Sequence, residues 1–520
     1  MKPNAPFEPK VIPLSILLLA IITGACGFFA AISIGFVPTD PEITYRAAGR
    51  LRGFLAFGMP VWTLAWAGLA WLWWGRALRW RGGGAERWLV VWAGALILGA
   101  SLCPPMLSDD AYRYAWEGLV VLSGENPYAL APADPALAGL AALHPDIFPH
   151  INHPEFSAIY PPLAQAVFAV GALAPFELVA IKVLLALVVL ASLGLFWRLL
   201  EARGLASGRV LVLAAHPLVL LEGAFTAHVD VLLMAGGLLA AWALARPEGD
   251  PPRRWALAAC GLAIAVLSKL APLVLLPHLL RHLAGWRARA LAAVATGALV
   301  LLFYLPFLGP GLFQSFDTYN KVWEFNGAAY PALVAGWEAV SPGGDRIVAG
   351  IDAAGRIVGV DGLSTRLRAA KHADPVYPPK LAARLTAAGL FGVAWLAAFA
   401  ARGPRFEERW LWVVGAGLVL SPVVHPWYLL SLLPFALLGG SRAGWAALAW
   451  ATAAPWTYAV LPQWWTEGVW ALPGWVLALE YGAVAVAFGA AWVAGRRAGV
   501  PSEPSNPPDR PAPESASESP

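Results

Sequence analysis

Apolar runs long enough to cross a bilayer recur through most of the chain: Val11 to Phe36, Gly53 to Trp74, Trp88 to Leu107, Val183 to Phe196 and onward to Val493. A helix needs about 20 consecutive apolar residues to span hydrocarbon. The chain is 59% hydrophobic and only 13% charged, about half the charged share of an average soluble domain, so it can scarcely cover its own surface with polar groups. The expected fold is an all-α polytopic integral membrane protein. The first run is too long for a signal-peptide core and shows no small-residue cleavage site, so it is expected to remain as an anchor. A formal net charge of +4, spread over short basic clusters, gives no reason to expect nucleic acid. Cys26, Cys103 and Cys260 lie inside apolar segments without zinc or disulfide spacing, which suits packing residues.

Short loops rich in arginine stay cytoplasmic. The clusters Arg76/Arg79/Arg81/Arg87, Arg198/Arg203/Arg209, Arg246/Arg253/Arg254, Arg281/Arg287/Arg289, Arg402/Arg405/Arg409, Arg442 and Arg496/Arg497 can all lie inside together. The segment Ser108 to Tyr160 instead sets one basic residue, Arg113, against Asp109, Asp110, Glu117, Glu125, Asp134, Asp146 and Glu155, which suits the external face. Only one crossing fits between Tyr160 and Arg198, so Leu178 to Phe196 spans and Tyr160 to Ala174 becomes an outer helix with its prolines at the start. Trp255 to Leu280 begins and ends inside and should be a tight pair of short helices with Ser268-Lys269 near the turn. This reading gives about fourteen crossings with both termini cytoplasmic.

The expected division is 1–107 for N-terminal transmembrane helices, 108–178 for an external catalytic loop with surface helices, and 179–308 for a transmembrane core. It continues with 309–380 as an external insert, 381–497 as C-terminal transmembrane helices and 498–520 as a disordered cytoplasmic tail of Pro, Ser and Glu. Within the insert, Arg346-Ile-Val-Ala-Gly and Arg356-Ile-Val-Gly-Val read as a small β-hairpin. No internal repeat is visible.

The chemistry is expected where Ser108-Asp-Asp-Ala-Tyr-Arg-Tyr-Ala-Trp-Glu-Gly118 sets two adjacent carboxylates at the mouth of an apolar segment. A helix from Ser108 puts Asp109, Tyr112, Arg113, Trp116 and Glu117 on one face. Ser108 as N-cap with acids in the first turn explains part of this, but such a cap needs neither Arg113, Trp116 and Glu117 nor the Gly124-Glu-Asn-Pro-Tyr128 stop. Outward carboxylates beside a bilayer suit general-base work. Lys269 interrupts a run apolar from Leu257 to Leu276, where a charge costs about 2.5 to 3.5 kcal/mol at mid-membrane; it either snorkels or holds a phosphate. Ala227-His228-Val229-Asp230 lies at an outer turn, and His425 in Ser421-Pro-Val-Val-His-Pro-Trp-Tyr428 ends a helix at the outer surface beside Trp427 and Tyr428. The aromatics suit an interfacial belt or sugar stacking. His144, His150 and His153 are better read as loop histidines than as metal ligands.

Taken together, several segments resemble the polytopic GT-C glycosyltransferases that use polyprenyl-phosphate sugars, most closely the bacterial α-mannosyltransferases. They are Ser108 to Gly118, Glu125-Asn-Pro-Tyr128, Ile151-Asn-His-Pro-Glu155, Ile159-Tyr-Pro-Pro-Leu163, Ala227-His-Val-Asp230, Leu267-Ser-Lys-Leu270, Tyr319-Asn-Lys-Val-Trp-Glu-Phe-Asn-Gly327 and His425-Pro-Trp-Tyr428. The resemblance runs from Pro104 to about Leu433. It implies a GT-C-like enzyme in the bacterial inner membrane with its site on the periplasmic face. That enzyme would move a hexose, mannose first among candidates, from a polyprenyl-phosphate donor to an envelope glycan or glycolipid acceptor with inversion. The implied catalytic residues are Asp109, as base, and Asp110; the implied phosphate ligands are Lys269, Arg113 and His425. Substrate contacts are expected from Tyr112, Trp116, Glu117, Asn126, Tyr128, His153, Glu155, Tyr160, His228, Asp230, Lys321, Trp323, Asn326, Trp427 and Tyr428. No cofactor is required, and a divalent metal is compatible with the acids but not expected. Three helices precede the catalytic loop here where many relatives have one, and the insert 342–380 departs from the family pattern. A transporter or lipid flippase is the competing class; it would place polar groups at the bilayer midplane between repeated halves.

Overall fold

The computed structural model describes residues 11–36, 39–75, 84–246, 251–370 and 373–498. The 499–520 tail and the arginines at 76, 79 and 81 lie outside the described residues. Among those described, the chain is helical throughout and forms no strand beyond two isolated bridges, Phe325 with Val423 and Ala370 with Ala373.

Among the described residues six helices are long and apolar enough to cross a membrane: α1 (Val11–Ser33), α2 (Pro41–Trp74), α6 (Glu177–Ala202), α10 (Trp286–Phe307), α14 (Pro378–Ala400) and α17, described over Gly474–Ala494. Between these come α3 (Gly84–Ser101), α4 (Asp110–Leu122), α5 (Pro162–Ala172), α7 (Pro217–Phe225), α8 (Asp230–Ala245) and α9 (Pro251–Ser268). Later in the chain are α11 (Gln314–Val322), α12 (Tyr330–Val340), α13 (Asp345–Ile357), α15 (Phe406–Leu420) and α16 (Arg442–Ala453). The spanning helices leave large apolar side chains such as Leu64, Val294, Val393 and Val486 exposed, as a lipid-facing surface requires. α7 and α8 form a seventh candidate span, bent by 119° between Phe225 and Asp230.

The expected outer helix is α5, with Pro161 as N-cap and Pro162 at its first position, where a missing N–H costs nothing. The turn at Ser268-Lys269 is present, but the pair around it is uneven: α9 has 18 residues, and the return is a 3₁₀ turn, Ala271–Leu275, followed by the short helix Leu276–Leu280. The β-hairpin is not formed. Residues 345–357 are α13, because Ile347, Ile351 and Ala354 recur at helical spacing and the Asp352 carboxylate accepts Ser364 N at 2.8 Å and Oγ at 2.9 Å.

α8 and α9 touch at backbone distance. A Cβ added to Gly236 would meet Gly261 O and Ala265 N at 2.6 Å, and one on Gly261 would meet Ala240 N at 2.5 Å. Small residues permit this approach in membrane helices, and the contact fixes how far Asp230, at the start of α8, stands from Lys269, just past the end of α9.

Candidate active site

The helix carrying the acid pair starts two residues later than the sequence suggests. Asp109 occupies the N-cap position, without a side-chain cap bond, and Asp110 N donates to Ser108 Oγ at 3.2 Å. The two carboxylates are joined by a residue from a distant loop: Asn152 Nδ2 donates to Asp109 Oδ1 at 2.8 Å and to Asp110 Oδ1 at 2.9 Å. Asp110 Oδ2 also accepts from Tyr160 Oη at 3.1 Å and Tyr114 Oη at 3.5 Å, so its oxygens are engaged on both sides. Asp109 has the single amide partner and remains exposed to solvent. The surrounding protein, then the neighbouring Asp110 charge, raises its pKa to about 6, against the pull of the Asn152 hydrogen bond.

Arg113 and Glu117, expected to meet ligands, build the loop that supplies Asn152. The Arg113 guanidinium donates to Glu117 Oε1 at 2.7 Å, His153 O at 3.1 Å, Asn152 O at 3.3 Å and Phe156 O at 2.6 Å, and is buried. Glu117 Oε2 accepts Gln165 Nε2 at 2.6 Å. With its donors filled this way, Arg113 is not available as a free cation. Trp116 faces inward against Phe148, and Tyr112 packs on His150.

The second wall comes from the break between α7 and α8. Five residues of π-helix, Leu221–Phe225, precede it, and Ala227 turns the chain at φ +58. This apex presents His228 and Asp230, both buried. His228 Nδ1 faces Glu222 Oε2 and Thr226 Oγ1, each at 3.0 Å, and Tyr458 Oη donates to the same Glu222 oxygen at 2.9 Å. Among the described residues Nε2 makes no hydrogen bond, and it points at Asp110 Oδ2, 3.8 Å away. Asp230 Oδ1 accepts Lys269 Nζ at 2.6 Å, and the ammonium sits 3.6 Å from the centroid of the Tyr428 ring. Tyr428 Oη in turn lies 2.7 Å from Tyr319 Oη.

The third wall is aromatic. His228 stacks on Trp427 at 3.8 Å, Trp427 on His425 at 4.3 Å, and His425 on Phe325 at 4.9 Å. The Phe325–Val423 bridge, with Phe325 N donating to Pro422 O at 3.0 Å, ties the segment after α11 to the 421–428 loop. His425 is thus a layer between two rings. Trp323 packs edge-on against His153 and Phe156, above the exposed pair His153 and Glu155 at 3.4 Å.

Asp109, Asp110, Tyr160, His228, Asp230, Lys269, Trp427 and Tyr428 therefore share one end of the bundle, with His153, Glu155 and Trp323 at its edge. Others lie apart. Asn126 holds its own turn through Tyr128 N and Phe307 O, and Tyr128 donates to Tyr160 O at 2.6 Å. Lys321 donates to Asp317 and Ala369 O. Asn326 is buried, donating to Glu480 at 2.9 Å. Sequence reasoning passed over Asn152, Tyr319 and Glu222. The first two lie within segments already singled out, and Glu222 is an acid inside the apolar run Leu218 to Phe225. Among the described residues no group of three or more His, Cys, Asp or Glu is arranged to hold a metal.

A helical membrane protein with a reachable carboxylate, a second locked acid and a half-buried lysine at one end of its bundle has the anatomy of a membrane-embedded glycosyltransferase, and comparison with known families establishes that class. The chain belongs to the alpha-(1->6)-mannopyranosyltransferase family, whose N-terminal-domain model matches residues 17–285. The model for glycosyltransferase family 87 matches residues 158–422. No curated protein and no solved structure matches the chain.

Proposed function

We propose that this glycosyltransferase moves a hexose, mannose first, from a polyprenyl-phosphate sugar to an envelope glycan or glycolipid, with inversion, on the outer face of the bacterial inner membrane. The observation that carries the reading is the contrast within the acid pair: Asp110 is locked by Asn152 and two tyrosines, while the neighbouring Asp109 stays open with a pKa raised to about 6. A base works best when its pKa lies near the operating pH. Asp109 takes the acceptor hydroxyl proton, the acceptor oxygen bonds to the anomeric carbon from one face, and the carbon–oxygen bond to phosphate breaks on the other with its electron pair going to the phosphate.

Lys269 and the unpartnered His228 Nε2 are the groups suited to that phosphate. Charge grows on the leaving oxygen as the bond breaks, so fixed donors there favour the transition state over the ground state. Arg113 acts through the Asn152 loop, and the rings of Trp427, Tyr428 and Trp323 suit sugar faces. About fourteen crossings with both termini cytoplasmic accompany this reading. It is supported by arginines gathered at helix ends remote from Asp109, such as Arg203 after α6 and Arg405 before α15.

The test is to incubate membranes carrying the protein with a panel of radiolabelled lipid-phosphate sugars. Labelled glycan together with free polyprenyl phosphate is the expected result, strongest for mannose. Recovery of intact donor moved between leaflets, with no polyprenyl phosphate released, would indicate a transporter or flippase and overturn the proposal.

A further inference from the structure

At the opposite end of the bundle lies a cavity of about 660 Å³ between α2, α15 and α16. α15 connects the two ends: its Leu420 leads into the 421–428 loop, while its Phe406 end borders this cavity, about 22 Å away for 15 residues of helix. Trp66, Ala70, Leu411 and Leu448 form an apolar wall. Trp71 and Trp445 stand at the opening, 58% and 45% exposed, as indoles do at the bilayer interface.

The polar side is cationic. Among the described residues three arginines, Arg203, Arg209 and Arg405, face two acids, Glu407 and Glu408, an excess of one positive charge. Arg203 and Glu407 satisfy each other through bonds of 2.6 and 3.0 Å. Glu408 accepts the Arg405 backbone N–H at 3.1 Å. Arg209 differs: it is 9% exposed, its Nη1 donates to Leu437 O and Leu438 O, and its Nε has no hydrogen-bond partner among the described residues. The same guanidinium lies 5.7 Å from the Trp74 ring, which stacks on Trp445 at 4.9 Å. Beneath it Gly439 and Gly440, at φ +78 and +89, lead to Ser441, whose Oγ caps α16 by accepting Gly444 N at 3.0 Å. A buried arginine with a vacant donor, beside left-handed glycines and a helix N-terminus, is an anion site.

We propose that this cavity binds one acidic phospholipid of the leaflet opposite the active site, its phosphate on Arg209 and the start of α16 and its acyl chains leaving between Trp71 and Trp445. The apolar wall and lateral opening favour a lipid phosphate over a soluble one. The site is independent of the sugar chemistry.

Full-length protein in detergent is titrated with phosphatidylglycerol or with phosphatidylcholine of the same acyl chains, and bound lipid is counted by native mass spectrometry. A single phosphatidylglycerol is expected to persist where phosphatidylcholine does not. Arg405→Ala, at an exposed position, should weaken it about three- to fivefold, the range of one solvent-accessible charge. Glu408→Gln removes a negative charge but keeps an oxygen for the Arg405 N–H, so it should tighten binding by a similar factor; a folding defect could not mimic that gain. Equal retention of the two lipids, or indifference to both substitutions, overturns the proposal. So does inorganic phosphate binding without any phosphatidylglycerol preference, which would make this a soluble-anion site.

Discussion

Replacing Asp109 by asparagine removes the ionisable oxygen while leaving an Oδ1 that still accepts the Asn152 amide, so the loop is expected to stay in place. A positioned base contributes about 10² to 10⁴ in rate, equivalent to about 3 to 5 kcal/mol of transition-state stabilisation at 1.36 kcal/mol per decade. Turnover of a purified lipid-linked sugar by D109N should fall by that factor with the thermal melt unchanged. In the parent, a pKa near 6 leaves the carboxylate about nine-tenths ionised at pH 7 and about one-tenth at pH 5. Because the base acts only when ionised, the rate should fall about tenfold over that interval and about tenfold per unit below it. Asn152→Ala removes a hydrogen bond that lowers this pKa, so the acidic limb should move to higher pH. If D109N keeps turnover within tenfold of the parent, or if the parent's limb is absent between pH 5 and 7, Asp109 is not the base.

Lys269→Ala should weaken donor binding in a titration and lower the melting temperature, because Asp230, 1% exposed, is left without its cation. Adding Asp230→Ala should restore the melt but not the affinity, and full affinity in either variant would make Lys269 structural. Arg113→Lys keeps a charge for Glu117 but cannot reach three loop carbonyls at once, so it should cost about 3 kcal/mol in unfolding and shift the acidic limb of the pH profile as Asn152→Ala does. An unchanged pH profile would separate Arg113 from the acid pair. Gly261→Val must push α9 from α8, costing about 1 to 3 kcal/mol by thermal melt and raising the donor KM through a displaced Lys269; a wild-type KM with a lowered melt would confine the contact to packing.

The parts of the site legible in sequence are those where polarity interrupts apolar surroundings. Asp109-Asp110, Lys269 and the His228–Asp230 turn are local anomalies, and each lies at the same end of the bundle. The proline-led start of α5 was equally plain, since Pro-Pro before an apolar run has few other uses. Partnerships were not legible, because they join residues far apart in the chain: Asn152 reaches back to Asp109 and Asp110, and Tyr458 reaches Glu222 across 236 positions. Arg113 looked like a free cation because sequence cannot reveal that three carbonyls of a later loop would surround it. The strand reading of Arg346 to Val360 followed β-branched pairs, yet Ile347, Ile351 and Ala354 recur at helical spacing, and Ile357 and Val358 are left exposed where α13 ends.

The stack from Phe325 through His425 and Trp427 to His228 joins three remote stretches of chain face to face. Its outermost ring, Phe325, also touches Trp470, and its innermost is the imidazole of His228 beside Asp110. Tilting one plate disturbs the next, so a contact made on Phe325 would be felt at His228, beside Asp110, without any helix moving. Four rings from three stretches of chain thus behave as one lever rather than as separate contacts.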